Sequence, residues 1–278
     1  MHYLSFFIAL LIATSQLLAP LARADETTYL VGVVPQYEAR RLHAIWRPIL
    51  DRLEQSTGFR FRFRGSPSIP DFERDFLSGE FDFAYMNPYH LVIAHEQQGY
   101  IPLVRDVGRT LHGVLVVRKD SGITTPEELD GSKIAFPAPN ALGASLQMRQ
   151  ELHDQFNIKP VPHYVKTHDS VYLNVVLGQA AAGGGVQKTL NRQQADIRDS
   201  LRIIHSTTPV APHPFAAHPR VPQQVNEAVQ NGLLQLGGES DGAAMLANIP
   251  IRKIGVSTID DYLPLQSMGL ERFYVKPQ

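Results

Sequence analysis

The sequence predicts an α/β protein of two lobes, each a mainly parallel sheet flanked by helices, with a cleft between them. Three observations carry this. Short apolar runs alternate with helical patterns along nearly the whole chain, the order that parallel sheets with crossover helices require. These units fall into two groups, one before about Gly113 and one after it. A proline-rich stretch from Pro209 to Pro222 then leads to a last amphipathic helix that packs on the first group, so the chain crosses between the groups twice.

The first residues are set apart. Leu4 to Leu18 is largely apolar and is followed by Ala22-Arg23-Ala24, an h-region and small-x-small cleavage site that mark residues 1–24 as an export signal. The run is shorter than the roughly 20 residues of a membrane span. Cleavage leaves Asp25 as the N-terminus, and with Arg23 gone 25 Lys and Arg face 27 Asp and Glu, a formal charge of −2. Nucleic-acid binding needs a basic face that this balance does not supply. The absence of cysteine rules out disulfides, thiolate metal ligands and a lipidated cysteine. The expectation is an exported, periplasmic, monomeric protein without a cofactor.

Each element follows from local pattern. Tyr29 to Val34 is a strand that stops at Pro35. Leu42, Ile45, Trp46, Ile49, Leu50 and Leu53 have helical spacing, with a kink or late start expected at Pro48. Phe59 to Phe63 alternates as a second strand. A short helix then starts at Pro70, with Phe72 and Phe76 on one face, and the third strand is Phe81 to Tyr85. In the second group His112 to Val117 is a strand, and Thr125 with Glu128 has capping-box spacing. Ser132 to Phe136, His163 to Thr167 and Leu201 to Ser206 are further strands. Helices are expected over Gly143 to Phe156, Asp169 to Leu177 and Gln223 to Leu236. Ala180 to Gln187 is too rich in glycine for propensity to decide. The lobes are then 25–112 with 214–278, and 113–213, with hinge crossings near 110–115 and 207–217.

In open parallel sheets, ligands bind beyond the carboxyl ends of the strands. Four loops stand there: Pro35-Gln36-Tyr37, Tyr85 to Tyr89, Pro137 to Ser145, and Thr167 to Ser170. The last two run into helices, whose N-termini hold anions. Gly143 and Ala144 let a ligand approach the backbone, and Ser145 adds a hydroxyl. The candidate ligand-binding residues are Gln36, Tyr37, Tyr85, Asn87, Asn140, Gly143, Ala144, Ser145 and His168.

With these stretches in hand, the chain resembles the periplasmic substrate-binding proteins of phosphate/phosphite/phosphonate-type ABC transporters. The carrying segments are Val31 to Gly58, Ser78 to Ala94, Gly113 to Pro139 and Val165 to Gly184. The resemblance implies a type II periplasmic binding fold that closes over a small anion and delivers it to an inner-membrane permease. It aligns a Ser/Thr-rich phosphonate loop with Asn140 to Ser145, where this chain has Asn-Ala-Leu-Gly-Ala-Ser. It matches His168 to a ligand-contacting histidine and puts Tyr37 and Tyr85 near aromatic positions. The acidic residue that would hold a ligand amine is replaced by alanine and glycine near Gln179 to Gly185. Arg40, Arg41 and Arg105 read as solvated charges, which favours a monoanion or a polar neutral ligand with an apolar part.

One other function stands close to this one. A ligand-sensing module feeding a membrane sensor uses the same fold. Catalysis lacks a Gly-x-Ser-x-Gly elbow or a cysteine nucleophile. The 11 histidines, His213 and His218 included, read as scattered surface residues, not as a zinc site.

Overall fold

The computed structural model describes residues 27–249 and 251–277; the expected export signal lies outside them. In the first half, β1 (Thr28–Val33) is flanked in parallel by β2 (Arg60–Gly65) and β3 (Phe83–Tyr85). Helix α1 (Ala39–Thr57) joins β1 to β2 and buries Leu42, Trp46, Ile49, Leu50 and Leu53. It runs on through Pro48, so packing of this face outweighs the cost of about 3 kcal/mol that an interior proline carries. Trp46 lies 5.1 Å from the Tyr85 ring and 5.9 Å from Phe215, which pins the helix to the sheet.

Helix α2 (Ile69–Leu77) is capped by Ser68, whose hydroxyl accepts the Asp71 N–H at 3.3 Å. The residues after β3 are not a long loop. Asn87 caps α3 (Pro88–Gln98), with Pro88 as its first residue. An asparagine followed by proline is a helix-start signal that the large polar side chains around it obscured. β4 (Ile101–Asp106) comes next.

The second half contains β5 (Gly113–Arg118), β6 (Lys133–Phe136), β7 (Val161–Tyr164), β8 (Ala182–Val186) and β9 (Leu201–Ser206). Its helices are α4 (Gln147–Asp154), α5 (His168–Val176), α6 (Gln187–Asn191) and α7 (Ala195–Asp199). Thr125 and Glu128 do form a capping box, on a single 3-10 turn over Pro126–Leu129. The proline-rich return, which the sequence suggests is simple connection, contains a strand, β10 (Phe215–Ala217). α8 (Gln223–Gly238), α9 (Ser240–Asn248) and β11 (Ile254–Val256) complete the first half.

The sheets have the orders β11-β4-β10-β3-β1-β2 and β7-β6-β8-β5-β9. β10 is antiparallel to both β3 and β4, and β5 is antiparallel to both β8 and β9. Each of these reversed strands comes directly after a crossing between the halves. The crossings enter at the carboxyl ends of the neighbouring strands, so the next strand has to run the other way. The two crossing segments also bond to each other: Leu111 and Val210 exchange N–H···O bonds of 2.9 Å, and Thr207 Oγ1 accepts the Gly113 N–H at 2.8 Å.

The glycine run that propensity left open is β8, in the middle of its sheet. A Cβ on Gly184 would overlap the Ala144 carbonyl oxygen and the Phe136 ring, and one on Gly113 would overlap the Gly143 carbonyl oxygen. These absences let Leu142–Leu146, a π-helical turn, lie directly on β5 and β8. Farther along, the C-terminal segment leaves the first half and bonds to the second. Arg149 donates to the Phe273 carbonyl at 2.8 Å, and Asn140 exchanges bonds of 2.7 and 2.9 Å with the Val275 backbone.

Gly184→Ala is expected to cost about 1–3 kcal/mol through overpacking, a fall of roughly 2–10 °C in melting temperature for a chain of this size. Circular-dichroism melting checks this, and an unchanged midpoint would show that the π-helical turn can lift off the sheet.

Candidate functional site

A cavity of about 1080 Å³ lies between the two sheets. Its lining comes mostly from the segments just beyond the carboxyl ends of β1, β2, β3, β4, β6, β7 and β8, joined by Pro212, His213 and Arg252, the position where ligands enter open α/β sheets. Among the described residues, Gln36, Tyr37, Tyr85, Asn87, Gly143, Ala144 and His168 line it, whereas Asn140 and Ser145 do not.

The polar atoms of several expected residues are already engaged. The Tyr85 hydroxyl donates to the Ile249 carbonyl at 3.2 Å, and its ring stacks on His213 at 5.5 Å. Asn87 Oδ1 accepts the His90 N–H at 2.8 Å, while Nδ2 donates to the Asn140 carbonyl across the halves at 3.2 Å. Tyr85 and Asn87 therefore shape the cavity more than they donate into it. Arg192, from the other half, donates to the Tyr37 hydroxyl at the mouth, and Arg41 lies over the same ring at 4.1 Å. Gln36 donates through Nε2 to His213 Nε2 at 2.8 Å, which leaves the His213 proton on Nδ1.

Asn140 and Ser145 are drawn away by stronger partners. Asn140 Nδ2 donates to Glu73 at 2.8 Å, and Glu73 in turn lies 2.9 Å from His90 Nε2, with both of these side chains almost fully buried. A buried carboxylate takes any donor within reach, so Asn140 serves as a link between the halves. Ser145 is buried, and its hydroxyl accepts from Arg149 at 3.3 Å.

His168 is the expected residue that keeps a free polar atom. It opens α5, it lines the cavity, and its buried Nδ1 has no hydrogen-bond partner. Burial lowers its pKa to about 4, against a smaller raising influence from Asp169. His213 falls to about 3, first through burial and then through His90, Arg109, Lys188 and His168 around it. Both rings are neutral at neutral pH, and His213 lines the cavity half-buried against Gln36 and the Tyr85 ring, not at the solvated surface its proline-rich surroundings suggested.

The charge of the site comes from residues that sequence reasoning passed over. Lys188 lines the cavity with its Nζ buried and unpartnered. Burial, followed by the nearby charges of Arg192, Arg109 and Arg41, lowers its pKa to about 6. Arg109 lines the same cavity, its Nε 2.9 Å from Asp106. Asp106 is itself buried and accepts the N–H groups of Gly108, Arg252 and Lys253 at 2.8–3.1 Å. It holds Arg109 in place and has little acceptor capacity left for a ligand. Among the described lining residues, Asp106 and the exposed Glu38 are the acids, so the cavity carries an excess of cations. The sequence does hold a signal for Lys188: a lysine placed just after a buried glycine strand, where helix α6 begins. Arg109 sits in a crossing segment, where no strand or helix period marks it.

A family model described as "ABC transporter, phosphonate, periplasmic substrate-binding protein" matches residues 31–262. Among solved structures, a binding-protein component of an ABC phosphonate transporter from Pseudomonas aeruginosa superposes with a TM-score of 0.79 at 17% identity, covering 90% of this chain and 88% of that one. PhnD1 from Prochlorococcus marinus, in complex with methylphosphonate, has a TM-score of 0.79 at 13% identity, with 89% and 99% covered. A Xanthomonas citri protein bound to ATP has a TM-score of 0.72 at 16% identity, with 88% and 98% covered. At these identities the superpositions establish the type II periplasmic binding fold.

A buried amine without a partner costs stability, so Lys188→Met is expected to stabilise the unliganded protein by about 1–3 kcal/mol. The sign of its pH dependence comes from the shift. Unfolded, the amine keeps its proton up to about 10.5, whereas folded it loses it near 6. In that window the unfolded chain binds the extra proton, so this group makes stability rise with pH. The stabilising effect of Lys188→Met should therefore be largest near pH 6 and shrink toward pH 10, as measured by denaturant titration of both proteins. A constant difference would mean that the amine is solvated.

Proposed function

The chain belongs to the periplasmic substrate-binding proteins of phosphonate ABC transporters, and from that premise we propose that it captures a phosphorus oxyanion in the inter-sheet cavity by closure of two lobes and delivers it to an inner-membrane permease. The family is one of binding proteins, not enzymes. Among the described residues no helix is long and apolar enough to cross a membrane. The observation that carries the reading is the unpartnered Lys188 Nζ, set in a cavity also lined by Arg109, Arg192 and His168. A buried oxyanion has to recover its lost hydration from charge-assisted donors. Lys188 offers up to three N–H donors, and an anion beside it restores the proton that burial removes. This inventory is richer than the hydroxyls, amides and helix ends read from the sequence, and it removes the reason for preferring a neutral ligand.

In this reading the lobes are residues 25–112 with 214–278, and 113–213, and the paired crossing segments are the hinge. Contacts that need no ligand already span the cleft: Arg192 to Tyr37, Asn87 to the Asn140 carbonyl, and Asn140 to Glu73. They support the closed form, and the ligand adds only its differential affinity for that form over the open one. Gln36, Tyr37, Tyr85 and Asn87 form one wall in this scheme. Gly143, Ala144 and His168, with Lys188, form the other.

Isothermal titration with methylphosphonate and inorganic phosphate tests the proposal. His168→Ala should weaken binding by about 1–3 kcal/mol, the cost of leaving a buried acceptor or donor unmet. Lys188→Met should weaken it roughly 10–100-fold, the worth of a hydrogen bond to a charged group. Unchanged affinity in both variants would sink the assignment of this cavity.

A further inference from the structure

Taking the oxyanion reading as its basis, we infer that the ligand is a phosphonate or phosphate monoester carrying a large apolar or aromatic group, not a small phosphonate, phosphate or an aminoalkylphosphonate. The first observation is size. Methylphosphonate has five heavy atoms, on the order of 100–150 Å³ if each takes the ~30 Å³ of a water molecule. The cavity measures about 1080 Å³, the upper end of what a drug-sized ligand fills. A small anion held at Lys188 would leave most of that space to water.

The second observation is how the lining is divided. Several cations cluster: Arg192 meets Tyr37, Arg41 lies over the same ring, and Lys188 feels the charges of Arg192, Arg109 and Arg41, while Lys166 and Arg252 line the cavity elsewhere. A different pair of loops brings Pro67, Ile69 and Pro70 from the first half and Pro137, Ala138 and Pro139 from the second. These loops approach each other closely, because Asn140 reaches Glu73 on α2 at 2.8 Å. Four of these six residues are prolines, which have no backbone N–H, and none of the six carries a polar side chain, while Ser68 between them, which also lines the cavity, has its hydroxyl committed to the Asp71 carboxylate and N–H. Such a surface cannot solvate an anion, but it accepts an apolar ring on either face.

The third observation concerns amines. Asp106 is committed to Arg109 and three backbone N–H groups, and Glu38 is exposed. No buried carboxylate among the described lining residues remains to pair with a ligand ammonium, so an aminoalkyl tail would bury its charge unpaired. An apolar tail meets the proline loops instead. Burying on the order of 100 Å² of it at about 25 cal/mol/Å² tightens binding by roughly seventyfold.

The test is isothermal titration of the full-length mature protein with inorganic phosphate, methylphosphonate, 2-aminoethylphosphonate, phenylphosphonate and phenyl phosphate. Both phenyl compounds should bind at least tenfold more tightly than methylphosphonate, and 2-aminoethylphosphonate more weakly than methylphosphonate. The comparison of phenylphosphonate with phenyl phosphate separates a carbon–phosphorus ligand from a phosphate ester. Methylphosphonate or phosphate binding as tightly as the phenyl compounds overturns this inference and leaves the oxyanion reading standing. Silence from every phosphorus compound overturns both. Ile69→Trp, which narrows the proline end, should lower the phenyl-over-methyl preference at least tenfold. Pro67→Trp, at an exposed position, repeats the measurement if Ile69→Trp does not fold. A preference untouched by either substitution places the organic group elsewhere and overturns the assignment of this wall.

Discussion

The arrangement rests on backbone touching backbone at the centre of the second half. The carbonyls of Gly143 and Ala144 occupy the space that side chains on Gly113 and Gly184 would fill. Because that space is free, the chain after β6 turns inward as a π-helical turn and does not stand off from the sheet. The turn brings Gly143 and Ala144 to the cavity wall and buries Ser145 and Leu146 beneath it. Gly113 is also the first residue of β5, directly after a crossing. One contact thus fixes the floor of the site to the point where the two halves join.

On this rigid floor the chain sets charges that do not balance. Elsewhere its ion pairs are ordinary, such as Arg105 with Asp261 at 2.8 Å or Arg64 with Asp75 at 2.8 Å. Inside the cavity, Lys188 has no carboxylate to meet and its neighbours are cations. Proteins keep such a group where it serves a function, because packing alone favours an apolar residue there. In the proposed reading that local conflict is what an anion site requires: an environment that is poor for the free protein becomes good once a counter-charge arrives.

The fold was legible in the sequence wherever periodicity was strong. The apolar stripe of α1 and the core face of α8 stand as expected, whereas the alternating strand expected over Phe81 to Tyr85 is the shorter Phe83–Tyr85, buried on both faces with Ala84 included. Short elements escaped because three residues carry no period: β10 hides among prolines, and its role depends on strands more than a hundred residues away. The site was legible as a set of loops, since strand ends converge whatever their side chains. Its partition into used and unused groups was not. Asn140 has the look of a ligand donor, yet Glu73, 67 residues earlier, claims it. Lys188 is easily passed over because its own neighbourhood announces burial only weakly. Contacts between distant segments decide both cases.

The C-terminal segment has a kinetic meaning. Residues beyond β11 in the first half end on Arg149 and Asn140 of the second, through the Phe273 and Val275 backbone. The molecule is therefore fastened on a third side, by hydrogen bonds in addition to the two covalent crossings. A clasp that must be undone before the halves part stabilises the joined form and so acts on equilibrium position as well as on dwell time. If the halves part to release a solute as proposed, its strength helps set how long that solute stays aboard, and hence how far the carrier can diffuse before it lets go.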